Sequence, residues 1–272
     1  MKKGVVLCVL FFCFASISLQ SQSNKYIFQK ELSRKGKLLK ADVLGNVYLS
    51  DGTNLYKYDN QLNFQFSYAD FSFGKIHSFD VSNPMKILVF FGDLMQLSFL
   101  NNTLSIQNTL YLLRDLHFLQ PTQVCLSYDN GFWVYDEMKD RLFRYDANAI
   151  KINESQILTN VIGDKIHSND MQEAGGRYLI LNSPKLGFII FDKYGTYLKR
   201  IPITEVNFFS VWNEQLVFVK KNSIQVLNIE TADIQSYTLP DADTEQVIIQ
   251  GKQLIILTSK GVVKMYGISN ED

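Results

Sequence analysis

The sequence is poor in the residues that hold small folds together by covalent or metal chemistry. It has three cysteines among 272 residues, and two of them, Cys8 and Cys13, sit close to the N-terminus. Cys125 alone remains in the body of the chain, and one thiol cannot close an internal disulfide, so the fold must rest on packing. In an apolar strand pattern Cys125 reads as a buried structural thiol, because burial resists ionisation. Histidine is equally scarce, with His77, His117 and His167 as its whole supply. There is no excess of charge of either sign, with 27 basic and 27 acidic residues. Phosphate binding needs a basic stripe, so nothing here argues for nucleic acid. The short run Arg34, Lys35, Lys37 and Lys40 reads as a solvated turn before a strand. The nucleophile elbow, the zinc-protease helix, the phosphate loop and the dinucleotide fingerprint are all missing.

The only long apolar run is at the start. Met1-Lys2-Lys3 is followed by an uncharged stretch from Gly4 to Ala15 and then by Ser16, Ser18, Ser21 and Ser23. That order is the layout of a secretory signal over residues 1–23, with cleavage after Ser21 or Ser23. The apolar run is short for a membrane span, and no later segment approaches eighteen apolar residues. Phe12 precedes Cys13 where a lipid-anchor signal wants a small residue. The expectation is a chain exported from the cytoplasm, periplasmic, outer-membrane associated or secreted. Its functional domain would occupy residues 24–272.

What the sequence has in quantity is aromatic residues, with 14 Tyr, 20 Phe and 2 Trp. Such side chains pack well on pleated surfaces and favour an all-β class. A repeat supports that class. Large apolar residues end short strands at Tyr58, Phe99, Tyr145, Phe191, Leu227 and Tyr266, with spacings of 41, 46, 46, 36 and 39. A second strand precedes each marker, over 46–50, 86–91, 131–136, 177–182, 215–220 and 253–258, and turn residues lie between. Earlier and later strands bring the count to four per unit. Repeats of this length are the signature of β-propeller blades, here about six, with five or seven also compatible. The last unit ends with three strands, and Tyr26–Leu32 is a spare strand able to complete it. Closure of the ring by that strand would remove two open sheet edges.

Two blades carry a family pattern. Asp42-Val43-Leu44-Gly45-Asn46-Val47-Tyr48 runs on to Leu55-Tyr56-Lys57-Tyr58-Asp59, and Asp129-Asn130-Gly131-Phe132-Trp133 runs on to Leu142-Phe143-Arg144-Tyr145-Asp146. Both resemble the NHL-type propeller repeat. The Gly/Asn pair permits positive φ in a hairpin, and the Asp can accept bonds from turn amides. The resemblance implies a propeller fold and a function drawn from protein-binding modules, lectin-like modules and a few hydrolases and lyases.

Candidate site residues come from a near-literal repeat. Lys75-Ile76-His77-Ser78-Phe79-Asp80 returns as Lys165-Ile166-His167-Ser168-Asn169-Asp170 at an offset of 90. This predicts that both histidines occupy one structural position on innermost strands, at the channel mouth. Lys75, His77, Asp80, Lys165, His167 and Asp170 are therefore the candidate ligand-binding residues. The strand alternation places His77 and Asp80 on opposite faces, which argues against a shared metal. Asp42, Asp80 and Asp170 read first as turn caps. Trp133 and Trp212 read as core residues before exposed sugar platforms. No catalytic residue, metal ligand or cofactor is assigned. The expectation is a protein-binding or scaffolding module that engages an envelope protein or component. A metal-dependent hydrolase or lyase and a carbohydrate-binding module are the rivals.

Overall fold

A computed structural model describes residues 25–269. The expected signal over residues 1–23 lies outside them. The chain forms six antiparallel sheets of four strands each. Blade 1 comprises Leu38–Ala41, Val47–Ser50, Asn54–Tyr58 and Phe64–Ala69, from the innermost strand outward. Blade 2 has Ser78–Asp80, Ile87–Phe91, Gln96–Leu100 and Ile106–Leu112. Blade 3 has Pro121–Leu126, Phe132–Asp136, Arg141–Tyr145 and Lys151–Glu154. Blade 4 has Asp170–Ala174, Tyr178–Ser183, Gly187–Asp192 and Tyr197–Ile201. Blade 5 has Phe209–Trp212, Gln215–Lys220, Ser223–Asn228 and Ile234–Thr238. Blade 6 has Thr244–Gln250, Gln253–Thr258 and Val262–Ser269, and its outer strand is the N-terminal Lys25–Lys35. The expected closure is therefore present, with Tyr26 opposite Ile268 and Phe28 opposite Tyr266.

The core is divided among the blade junctions. Each sheet buries both faces of its second and third strands, so those strands read as continuous apolar runs such as Ile87–Phe91. Alternate residues then face opposite neighbours. Leu88 and Phe90 point toward blade 3, while Val89 and Phe91 point back to blade 1. Six apolar clusters result, one per junction. The repeat markers Tyr58, Tyr145, Phe191, Leu227 and Tyr266 all face the preceding blade. Phe99 faces the following one, and its neighbour Leu100 holds the repeat position instead.

Polar side chains fasten the inner strands to one another. Asp80 Oδ2 in blade 2 accepts from Leu126 N in blade 3 at 2.9 Å. Gln123 Nε2 donates to Ser168 O on the approach to blade 4, and Gln172 Nε2 donates to Phe209 O in blade 5. Ser210 Oγ donates to Val247 O in blade 6, and Gln246 Nε2 donates to Lys37 O beside blade 1. Because each is hydrogen-bonded, these polar groups avoid the penalty of an unpaired buried one, and they tie neighbouring sheets together.

The repeated hexapeptide is not in structural register. His77 N bonds Phe90 O in blade 2, and the matching bond in blade 4 runs from Asn169 N to Asn182 O, a shift of 92 residues on both strands. The pairs Phe79–Val89 and Met171–Leu181 repeat the same shift. Asn169 therefore corresponds to His77, and Gln172 corresponds to Asp80, whose latch role it shares. The two histidines do not occupy one position. What the repeat preserves is an isoleucine anchor. Ile76 and Ile166 are both buried in the junction in front of their blades, and Tyr135 Oη donates to Ile166 O at 2.8 Å. Two extra residues then follow before the blade 4 strand begins.

Candidate functional site

The innermost strands enclose a channel with a narrow part and a wide mouth. The narrow part holds only about 60 Å3 and is lined by the first residues of the inner strands, among them Lys40, His77, Asp170 and Gln246. Lys40 Nζ of blade 1 lies 3.7 Å from Asp170 Oδ1 of blade 4, so an ion pair crosses the ring between blades three places apart. Lys40 thus leaves the solvated basic run in which the sequence places it. Asp170 Oδ2 also accepts from Gln172 Nε2 at 2.7 Å.

The wide mouth is a funnel of about 630 Å3 whose wall includes residues of all six blades. It forms where the inner strands turn into the second strands. In every blade but the second those turns contain a residue with positive φ. Gly175 and Gly176 have φ of 58° and 65°. With the Arg177 N to Ala174 O bond they form a tight hairpin turn. Asn213 and Glu214, at 47° and 57°, make the equivalent two-residue turn of blade 5 between Trp212 and Gln215. The Glu214 carboxylate lies against Gly175, where an added Cβ would meet Oε1 at 2.2 Å. Glycine suits the position by its positive φ, and any larger residue would also displace the Glu214 side chain.

Glu173 is the most perturbed acid of the funnel wall. It stands on the inner strand of blade 4, and both its oxygens reach blade 3. Tyr128 N donates to Oε1 at 3.1 Å and Trp133 Nε1 donates to Oε2 at 3.2 Å. Burial against these groups is the dominant influence and pushes its pKa up to about 7, against the pull of the two bonds and of Arg144. Arg144 is itself buried and ion-paired to Asp129 at 2.6 Å. Its guanidinium sits 4.7 Å from the centre of the Tyr128 ring and 5.7 Å from that of Trp133. Tyr128 remains 53% exposed at the funnel rim.

The six sequence candidates separate. Asp80 is in the funnel wall, but it is buried and serves the blade 2 to blade 3 latch, with Oδ1 capping Ser82 N at 2.8 Å. His77 and Asp170 line the narrow part. The His77 ring packs edge-on to Phe90 and against Gly92. That partial desolvation holds its pKa below the ordinary imidazole value, although the residue keeps an exposed edge and Asp93 opposes the shift. Lys75, Lys165 and His167 are exposed and line neither cavity. His167 Nδ1 is 2.7 Å from Glu137 Oε1 at the surface. Among the described residues no group of three or more His, Cys, Asp or Glu side chains is placed to hold a metal ion.

Asp42 is a turn cap, as read from the sequence, accepting from Leu44 N, Asn46 N and Tyr48 Oη. Trp133 is fully buried and Trp212 is half-buried against the blade 5 to blade 6 core. Sequence reasoning passed over Glu173, Tyr128 and Glu214. Two signals pointed toward them: the Gly175-Gly176 turn just after Glu173, and a tyrosine immediately before the Asp129-Asn130-Gly131 turn.

The sequence matches no known protein family and no curated protein. Solved structures do match it. A streptogramin B lyase is 13% identical, with 91% of this chain and 88% of that one covered at a TM-score of 0.59. The β-propeller domain of Cps50 (Swd1) from Myceliophteria thermophila is 7% identical, covering 90% and 100% at 0.60. The WD40 β-propeller domain of Doa1 is 12% identical, covering 92% and 98% at 0.56. At such identities the likeness is one of fold: this chain is a six-bladed β-propeller, and these structures resemble it in fold alone.

Proposed function

We propose that this chain is an exported, NHL-like propeller that binds another protein of the cell envelope through its funnel face, as a scaffold and not as an enzyme. The observation that carries this reading is the funnel itself. It is a rigid concave surface of about 630 Å3, walled by short turns from separate blades over a locked ring. A surface so assembled presents several loops in fixed relative positions, which favours recognition of a shaped partner with little ordering cost on binding. The likeness of the fold to WD40 interaction domains supports the same direction. The leader-like residues 1–23 support action outside the cytoplasm, in the periplasm, at the outer membrane or beyond it.

Affinity capture tests the proposal. The tagged protein, expressed with its leader, is incubated with a solubilised envelope fraction of its own source, with and without a metal chelator. The expected result is a stoichiometric protein partner that survives chelation and is lost when Tyr128 is replaced by Asp. Capture of no protein, together with one tightly bound metal per chain, would overturn the scaffold reading in favour of a metal-dependent hydrolase or lyase.

A further inference from the structure

The funnel also has a chemical preference. Its charged lining consists of Asp80, Glu173 and Glu214 against Lys40 alone. Lys40 is already turned toward Asp170, and Arg144 behind the wall is buried and matched by Asp129. Glu214 shares its charge with Arg177, whose Nη1 lies 3.1 Å away on an exposed edge. The open volume therefore faces a surplus of carboxylate. Beside Glu173 stands Tyr128, an aromatic ring whose backbone amide bonds the same carboxylate and whose side chain is half uncovered at the rim. Carboxylate behind an aromatic wall, in a pit partly closed to water, is the combination that selects an organic cation over a neutral chain or an anion.

We infer that the funnel receives a protonated lysine or arginine side chain of the partner, with its charge toward Glu173 and its stem along Tyr128. This rests on the reading of the funnel as a partner-binding face. The inference carries a pH dependence whose sign is fixed. A cation favours the ionised form of Glu173, so binding strengthens as pH rises through the range in which that carboxyl loses its proton. The charges that act on it directly are Arg144 and Asp80; the funnel lining adds Glu214 and Lys40, and Lys193 Nζ stands 5.8 Å from the centre of the Tyr128 ring.

The test uses the purified full chain labelled with 15N, with the indole N–H of Trp133 as reporter because it donates to Glu173. W212F assigns the resonance, since the chain has only two tryptophans. The probes are acetyl-Gly-Lys-Gly-amide and acetyl-Gly-Arg-Gly-amide, with norleucine and citrulline peptides as neutral counterparts. Cationic peptides are expected to shift the Trp133 signal saturably and to bind at least about tenfold tighter than the neutral ones. A wall carboxyl that titrates near pH 7 passes from roughly one-tenth to nine-tenths ionised between pH 6 and 8, so affinity should rise by up to about tenfold over that interval. Glu173→Gln should abolish that rise. Tyr128→Leu, at a ring more than half exposed, should weaken the cationic peptides several-fold even if Glu173→Gln is poorly folded. Equal binding of cationic and neutral peptides, or no binding of either, would overturn the inference. Envelope capture separates the two readings: a partner retained equally by wild type and Glu173→Gln leaves the scaffold standing and removes the cation. Cationic peptides bound without any captured partner would do the opposite.

Discussion

Replacing Asp80 with alanine separates a structural carboxylate from a ligand-binding one. The side chain is buried, and its two oxygens accept from Ser82 N and from Leu126 N, the second in the next blade. Truncation leaves both amides without an acceptor, and the Leu126 amide is sealed in the junction. A buried donor left unsatisfied costs about 1–3 kcal/mol. With the first amide partly open to water, the expected loss is about 2–4 kcal/mol. In a domain of this size each kcal/mol lowers Tm by about 2–4 °C, so a fall of about 5–15 °C is expected. Asp80→Asn keeps the shape and one acceptor and should lose roughly half as much. Urea unfolding followed by far-UV circular dichroism gives the midpoint, and an unchanged m value would show that only stability has moved. If Asp80→Ala unfolds within about 0.5 kcal/mol of wild type, the inner latch between blades 2 and 3 is not a stabilising element and the argument fails.

Three other substitutions probe separate parts of the ring. Leu32→Ala in the N-terminal closing strand removes a buried side chain from the blade 6 to blade 1 core, and should cost about 2–4 kcal/mol in a thermal or urea melt. Gly131→Ala places a Cβ 2.1 Å from Tyr145 O, so strand separation in blade 3 should lower the yield of folded protein and its Tm by more than the Leu32 change does, as differential scanning calorimetry would show. Glu173, ionising near pH 7 in the folded chain and near 4.5 in the unfolded one, retains in the native state a proton that the unfolded chain has lost. Its contribution therefore declines as pH rises from about 4.5 to 7 and is level above that, with a total on the order of 3 kcal/mol. Glu173→Gln should gain on wild type by that amount between pH 5 and pH 8 in parallel urea titrations, and a constant difference across the interval would contradict the assignment.

Blade count, strand count and ring closure were all legible in the sequence because each follows from a short-range pattern. A strand buried on both faces shows as an apolar run, its turn shows as Gly, Asn or Asp, and an unpaired terminal strand shows as one too many. Register was legible only in part. Phe99 passed for a repeat marker because Phe99 and Leu100 are both apolar and both buried. In a doubly buried strand the sequence does not say which face a residue takes. A different cause misplaced the hexapeptide repeat: Ile76 and Ile166 are equivalent anchors, and the loop behind Ile166 is two residues longer. Gly131 was read as a turn glycine, yet Asn130 takes the positive φ of 66° and Gly131 is needed for the close approach of Tyr145 O. The candidate site was the least legible part. Glu173, Tyr128 and Glu214 come from three different blades and meet only because the ring curves, and no local pattern in a chain of short strands records that curvature.

The arrangement of the core explains where such a site can arise. Each junction is sealed by second- and third-strand residues, and five of them also by a polar latch near the axis, and these tolerate little change because their neighbours on both sides are fixed. The turns between inner and second strands carry load at single positions such as Asp42 and Gly131 and leave their exposed residues, Val43 and Tyr128 among them, free of it. Val43, Pro84, Tyr128, Gly176 and Glu214 occupy related turns or turn flanks in five blades and share no chemistry. The opposite approach to the channel is narrowed to about 60 Å3 by inner-strand side chains, and the Lys40–Asp170 pair spans it. A ligand entering from the funnel meets a floor, not a passage. The physical asymmetry of the ring, one mouth varied and open and the other narrowed, supports the proposed placement of recognition on the funnel side on grounds independent of its charge.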